Sequence, residues 1–144
     1  MTSNGEGART IFLIEEDDET RRLLVRNLHD YGYRVVVALD EEDAVGRIDG
    51  GVSADLILVN LVGKPVEYAL SVGRKVREHA RYDGHTPLVV MPEVYGKEVE
   101  GKNVNVEGND WIFYFGEETD QLKNLLQRLA PPGSRAAPEG SRQL

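Results

Sequence analysis

Asp55-Leu56-Ile57-Leu58-Val59-Asn60-Leu61 is the stretch whose reading decides the fold. An unbroken apolar run follows Asp55 and stops at a polar residue. Such a run suits a strand covered on both faces, as in a parallel sheet lying under helices. Open α/β sheets place their chemistry outside the carboxyl ends of their strands. Asn60 therefore stands where function is expected.

On the amino side of this strand, Thr10-Ile11-Phe12-Leu13-Ile14 reads as another buried strand, ended by the acids Glu15-Glu16-Asp17-Asp18-Glu19. Leu24, Val25 and Leu28 then recur at helical spacing, and Gly32 stands where a helix C-terminus favours φ > 0. Arg34 to Ala38 is strongly β-branched and reads as a strand. Asp40 suits the N-cap of a short helix carrying Ala44, Val45 and Ile48, which Asp49-Gly50-Gly51 ends. On the carboxyl side, Ala69, Val72, Val76 and Ala80 mark one face of a helix behind the loop Gly63-Lys64-Pro65. Leu88-Val89-Val90-Met91 is a strand held between Pro87 and Pro92, and Trp111 to Phe115 is the next. Leu122, Leu125, Leu126 and Leu129 belong to a last helix beginning near Thr119 or Asp120. The alternation predicts an α/β, doubly wound (βα)5 domain over residues 10–130, a flavodoxin-like three-layer sandwich with parallel strand order 2-1-3-4-5. Residues 1–9 read as a flexible leader, and the Pro-, Gly-, Ser- and Arg-rich residues 131–144 as a disordered tail.

The segment from Glu93 to Gly108 breaks the alternation. It holds Gly96, Gly101 and Gly108 together with four valines, and each glycine costs a helix about 1 kcal/mol against alanine. A degraded fourth helix, short or displaced, is expected here. Asn103 to Glu107 alternates with period two, so it is expected to run extended, with Val104 and Val106 turned inward. Trp111 to Phe115 would then be an edge strand with little cover. Tyr95, Val104, Val106 and Trp111 are the residues expected on a surface that binds a protein partner or a second copy.

Composition narrows the function classes. The chain has 144 residues, 40% hydrophobic and 29% charged, which is ordinary for a soluble domain able to bury its own core. It has no cysteine, so a disulfide framework and a thiolate zinc site are excluded. The first nine residues lack the apolar centre of a signal peptide, no run is long enough to span a bilayer, and a cytoplasmic protein is expected. A net charge of −8 argues against broad nucleic-acid binding. Arg74, Arg77 and Arg81 fall on one helical face and read as a solvated stripe. His29, His79 and His85 have no metal-ligand spacing. Three acidic clusters gather where helices begin, and the macrodipole favours them by about 0.3–1 kcal/mol each. Glu15 and Glu16 differ from the rest, since they end a central strand beside Asn60.

This arrangement resembles the receiver domain of bacterial two-component response regulators over nearly all of Thr10 to Leu129. The resemblance implies that Glu15 and Glu16 match two acids that hold Mg²⁺, and that Asn60 stands at the phosphoacceptor aspartate. It sets Pro92 at a Thr or Ser position and Tyr114 at a lysine, with Trp111 in the aromatic context before it. The departures matter most. An amide has no carboxylate nucleophile, Pro92 has neither hydroxyl nor N–H, and a tyrosine is neutral at pH 7. What this implies is an atypical, phosphorylation-independent signalling module that acts through protein partners, with no output domain attached and no catalytic residue. No cofactor is expected beyond weak Mg²⁺ at Glu15, Glu16 and the Asn60 carbonyl, where crowding raises the pKa of one Glu and Trp111 lies close enough to report. Two enzyme readings stand beside it. Glu16-Asp17-Asp18-Glu19-Thr20 faintly resembles the Asp-x-Asp-x-Thr loop of haloacid-dehalogenase-type phosphotransferases, but with Glu16 at the nucleophile. A flavodoxin-like flavin site wants hydroxyls where this chain has acids. A receiver switched by a ligand other than phosphate is the remaining alternative.

Overall fold

The computed structural model describes residues 8–61, 63–82 and 85–133; the expected leader and tail lie almost wholly outside them. Strand and helix alternate as β1 (Thr10–Ile14), α1 (Asp18–Asp30), β2 (Arg34–Ala38), α2 (Glu41–Asp49), β3 (Leu56–Val59), α3 (Val66–His79) and β4 (Leu88–Val90). The pattern then changes to two consecutive strands, β5 (Asn103–Glu107) and β6 (Asp110–Phe113), before α4 (Gln121–Leu129). Every residue of β1, β3 and β4 is buried. The apolar runs have this cause: both faces of the central strands are covered.

Side chains alternate across the sheet. Phe12, Ile14, Ile57, Val59 and Val90 pack with Ala44 of α2 and with Val72 and Val76 of α3. Ile11, Leu13, Leu56, Leu58 and Val89 turn the other way, onto Leu24 and Leu28 of α1 and Leu122, Leu125 and Leu126 of α4. The result is three layers. Asp17 caps α1 by accepting the Thr20 N–H at 2.8 Å, and Asp40 caps α2 by accepting that of Asp43 at 2.8 Å. Gly32, with φ +102°, ends α1. At the amino end of the sheet, the buried Tyr33 hydroxyl donates to the Ala130 carbonyl at 2.6 Å and joins β2 to the end of α4.

The sheet order is β2-β1-β3-β4-β6-β5. Its five parallel strands follow the expected 2-1-3-4-5 order, with β6 as the fifth. Three expectations need correction. Among the described residues no helix, short or displaced, lies between β4 and β5; residues 97–101 form turns. The aromatic strand is not an edge, because β5 pairs with β6 antiparallel and takes the outer position itself. Val106 is not turned inward. Asn105 pairs with Trp111 and Glu107 with Asp110, so Val106 is the extra residue of a β-bulge. The bulge breaks the alternation, leaving Val104 half-buried and Val106 exposed.

The arginine stripe of α3 is corrected as well. Arg74 Nε and Arg77 Nη1 each reach the carboxylate of the buried Asp110 at 2.7 Å. Arg77 also donates to the Thr86 carbonyl at 3.1 Å. Arg74 and Arg77 are not a solvated face, whereas Arg81 lies beyond the end of α3 and is exposed. The first two form a clamp that fastens the first residue of β6 to α3, on the side where the β5–β6 hairpin has no helix of its own.

Candidate functional site at the carboxyl rim

The ladder aligns the strand ends. Ile14 pairs with Val59, Val59 with Val90 and Val90 with Ile112. Backbone bonds carry the alignment one residue further, since Asn60 N–H donates to the Ile14 carbonyl and Met91 N–H to that of Val59, both at 2.9 Å. Glu15, Asn60, Met91 and Phe113 therefore stand in one row along the rim. Outside this row lies a cavity of about 220 Å³, walled by Met91, Pro92, Phe113 and Phe115, with Asn60, Thr20 and Glu93 as its polar lining.

Asn60 and Pro92 both line this cavity. Tyr114 does not. It packs against the core under α2 and α3, edge-on to Tyr95 at 5.4 Å between ring centres. Its neighbours Phe113 and Phe115 line the cavity instead, 6.3 Å apart and nearly perpendicular. Strand parity explains the exchange, because Ile112 and Tyr114 share one face and Phe113 and Phe115 the other. Trp111 does not lie at the rim. It is half-buried beneath α4, with the Arg128 guanidinium 5.3 Å over its ring and a buried indole N–H that has no partner. Tyr95 holds the loop after β4 by donating its hydroxyl to the Phe115 carbonyl at 2.6 Å. Phe115, Thr20, Met91 and Glu93 escaped sequence reasoning. The available signal was an aromatic residue placed beyond the end of its strand.

Glu15 and Glu16 separate in character. Glu15 is fully buried; its Oε2 accepts the Asp17 N–H at 3.0 Å, and its Oε1 has no protein partner. Burial, with the charges of Asp17 and Glu16 adding, pushes its carboxyl up to about 7. Glu16 is exposed. Arg21 closes the turn between β1 and α1, donating to the Glu15 carbonyl at 3.1 Å and the Glu16 carbonyl at 3.4 Å while pairing with Asp18. Asp17 is held below the usual carboxylate range by the Thr20 N–H and hydroxyl. Mg²⁺ requires a near-octahedral oxygen shell anchored by ionised carboxylates. Among the described residues no three His, Cys, Asp or Glu are grouped to hold a metal ion. Glu15 is buried, Glu16 is exposed and Asn60 offers only a neutral amide, a donor set that does not fit a resident divalent cation.

No family model matches the sequence. The fold is that of response regulator receiver domains. The receiver domain of a sensor histidine kinase from Pseudomonas aeruginosa, solved with a magnesium ion in its active-site cleft, is similar with a TM-score of 0.59 and 21% identity, covering 85% of this chain and 97% of that one. A response regulator receiver protein from Sinorhizobium medicae gives a TM-score of 0.62 at 20% identity, over 85% and 94% of the two chains. The chemotaxis protein CheY4 of Vibrio cholerae gives 0.61 at 19% identity, over 85% and 98%. In sequence, 112 residues, 78% of this chain, are 29% identical to the transcription factor prr1 of Schizosaccharomyces pombe. They cover 18% of that protein, so the chain spans less than a fifth of this relative's length. No helix among the described residues is long and apolar enough to cross a membrane.

Proposed function

We propose that this receiver-fold chain is a phosphorylation-independent signalling module of the cytoplasm that works by binding a protein partner and catalyses no reaction of its own. The observation that carries the reading is the rim cavity. An amide occupies the end of β3, and the surrounding walls are Met91, Pro92, Phe113 and Phe115. A phosphoryl group brings about −1.5 to −2 charges and three acceptor oxygens, which need cations and N–H or O–H donors. Pro92 supplies neither, and an apolar wall penalises buried charge that is left unpaired. A divalent cation is poorly supported by the donor set, so the charge would go uncompensated.

The test is intact mass after incubation with acetyl phosphate and Mg²⁺, alongside amide spectra with a beryllofluoride mimic. The expected result is unchanged mass and unchanged spectra. A stoichiometric phosphate on the wild-type chain overturns the reading. Asn60→Asp is expected to remain unlabelled too, because restoring the nucleophile leaves Pro92 and the phenylalanines unable to stabilise transferred charge. The edge strand β5, with Val104 half-buried and Val106 exposed, offers a further surface for pairing with a partner or a second copy. Behind that edge Trp111 pairs with Asn105 of β5, and Tyr95 donates to the Phe115 carbonyl beyond β6.

A further inference from the structure

We propose that the rim cavity receives a basic side chain, lysine or arginine, from a segment of the partner protein. The inference rests on the reading of the chain as an interaction module and specifies the chemistry of what it binds. At about 220 Å³ the cavity is smaller than the roughly 300–1,000 Å³ pockets that enclose drug-sized ligands. It suits one long side chain. Met91, Pro92, Phe113 and Phe115 offer apolar contact along its length, and among the described residues no cation lines the space. A lysine or arginine packs its methylene stem on such walls and keeps its charge at the polar end. There Asn60, Thr20 and Glu93 line it, Glu93 accepting the Gly63 N–H at 2.9 Å through one carboxylate oxygen, and aromatic faces add attraction for the cation.

Charge around the mouth points the same way. Glu16, Asp17, Asp18 and Glu19 lie along one side and Glu117 and Glu118 along the other, all exposed. Arg21, the cation nearest in sequence to the first group, is already engaged by Asp18 and the Glu15 and Glu16 carbonyls. Helix N-termini contribute only about half a positive charge each, which these full carboxylates outweigh. The acids alone would make no site; apolar exposure beside the cavity completes it. Phe115 is 63% exposed and Val94 is 86% exposed, an unusual presentation of apolar surface around a cleft. A second copy is a poor occupant, because each copy carries a net charge of −8. A basic segment with apolar residues beside its cation is complementary in both respects.

The experiment titrates the full ¹⁵N-labelled chain with a short synthetic peptide of alternating lysine and leucine, and separately with its glutamate counterpart. Amide shifts are expected only with the lysine peptide, confined to residues 16–20, 60–61, 91–94 and 113–117. Phe115→Ala and Glu93→Lys are each expected to weaken that binding about tenfold, as for a residue central to an interface. The amide spectrum of each variant confirms that it is folded, and Glu42→Lys, on α2 and away from the cavity, serves as the charge control. Equal binding of the glutamate peptide, shifts centred on β5 or α3, or indifference to both rim variants overturns the proposal. Labelling by acetyl phosphate instead defeats the underlying function. An unlabelled chain whose peptide avoids the rim defeats only the docking site.

Discussion

Glu15 follows β1 with no exposed surface, and its carboxyl is pushed up from 4.5 to about 7, chiefly by burial. In the unfolded chain the same group ionises near 4.5. Between these values the folded state holds a proton that the unfolded state has released. Stability therefore falls as pH rises through that window, by on the order of 3 kcal/mol at the pH 8 end. Glu15→Gln is expected to remove this slope, so that urea midpoints of the variant at pH 5 and pH 8 coincide while those of the wild type separate. The sequence showed that two acids crowd the end of a central strand, and from that a raised Glu follows. It did not show that desolvation outweighs the neighbouring charges, because burial depends on α1 closing over the strand. The position of Tyr114 was equally hidden. Counting residues past a strand locates the row, but the row's facing depends on where pairing with β4 begins, and β6 starts at Asp110.

At the scale of elements, the arginine clamp takes the place of helix packing. Burial pushes the Asp110 carboxyl up, but Arg77 and Arg74 outweigh it and hold it below the ordinary aspartate value. A depressed acid contributes stability that is present above the unfolded pKa and lost as pH falls through the folded one. The clamp thus holds at neutral pH and fails only in acid. Asp110→Asn keeps the shape and removes the charge. The expected loss at pH 7 is about 2–3 kcal/mol, below the usual figure for breaking a buried pair, because the Arg74 side chain is 39% exposed. The hairpin has a second restraint in two glycines that meet backbone to backbone. A Cβ on Gly116 would stand 2.6 Å from the Gly101 Cα. Gly116→Ala is expected to cost about 1–3 kcal/mol and to raise hydrogen exchange across residues 97–107, whereas Gly46→Ala, with nothing within 4 Å of its new Cβ, should not. β1, β2, α2 and the central strand were legible from periodicity and caps, which are local signals. That the fourth helix is poorly specified was legible too, from its glycines and valines, but that turns replace it altogether was not. The clamp was not, since Arg74 and Arg77 read as surface until the topology brings Asp110 beneath them.

Across the whole molecule the two ends of the sheet are built differently. The amino end is tied together by Tyr33 and Ala130, while the carboxyl end leaves a cavity and exposed apolar residues among acids. The fold class was readable because alternating buried runs and helical faces have few arrangements that cover a parallel sheet. What covers the last strand was not, because an antiparallel hairpin and a crossover helix satisfy β6 equally well.

That hairpin also sets an order in time. Glu107 meets Asp110 across a tight turn at Gly108 and Asn109, where the Asn105 side chain donates to the Gly108 carbonyl at 3.0 Å. Ile11, in contrast, reaches Leu56 only after α1, β2 and α2 have been traversed. Closing a short loop costs less entropy, and hairpins form in about 1–10 μs, yet an isolated hairpin is marginally stable. The β5–β6 pair is thus expected to form and dissolve repeatedly until α3 arrives with its arginines, so that early zippering and late fastening occur in the same element. In pulse-labelled refolding, amides of β1 and β3 should gain protection together with those of β6. With Asp110→Asn the β6 amides should lag behind, which makes the buried carboxylate a latch in the folding pathway as well as a strut in the finished sheet.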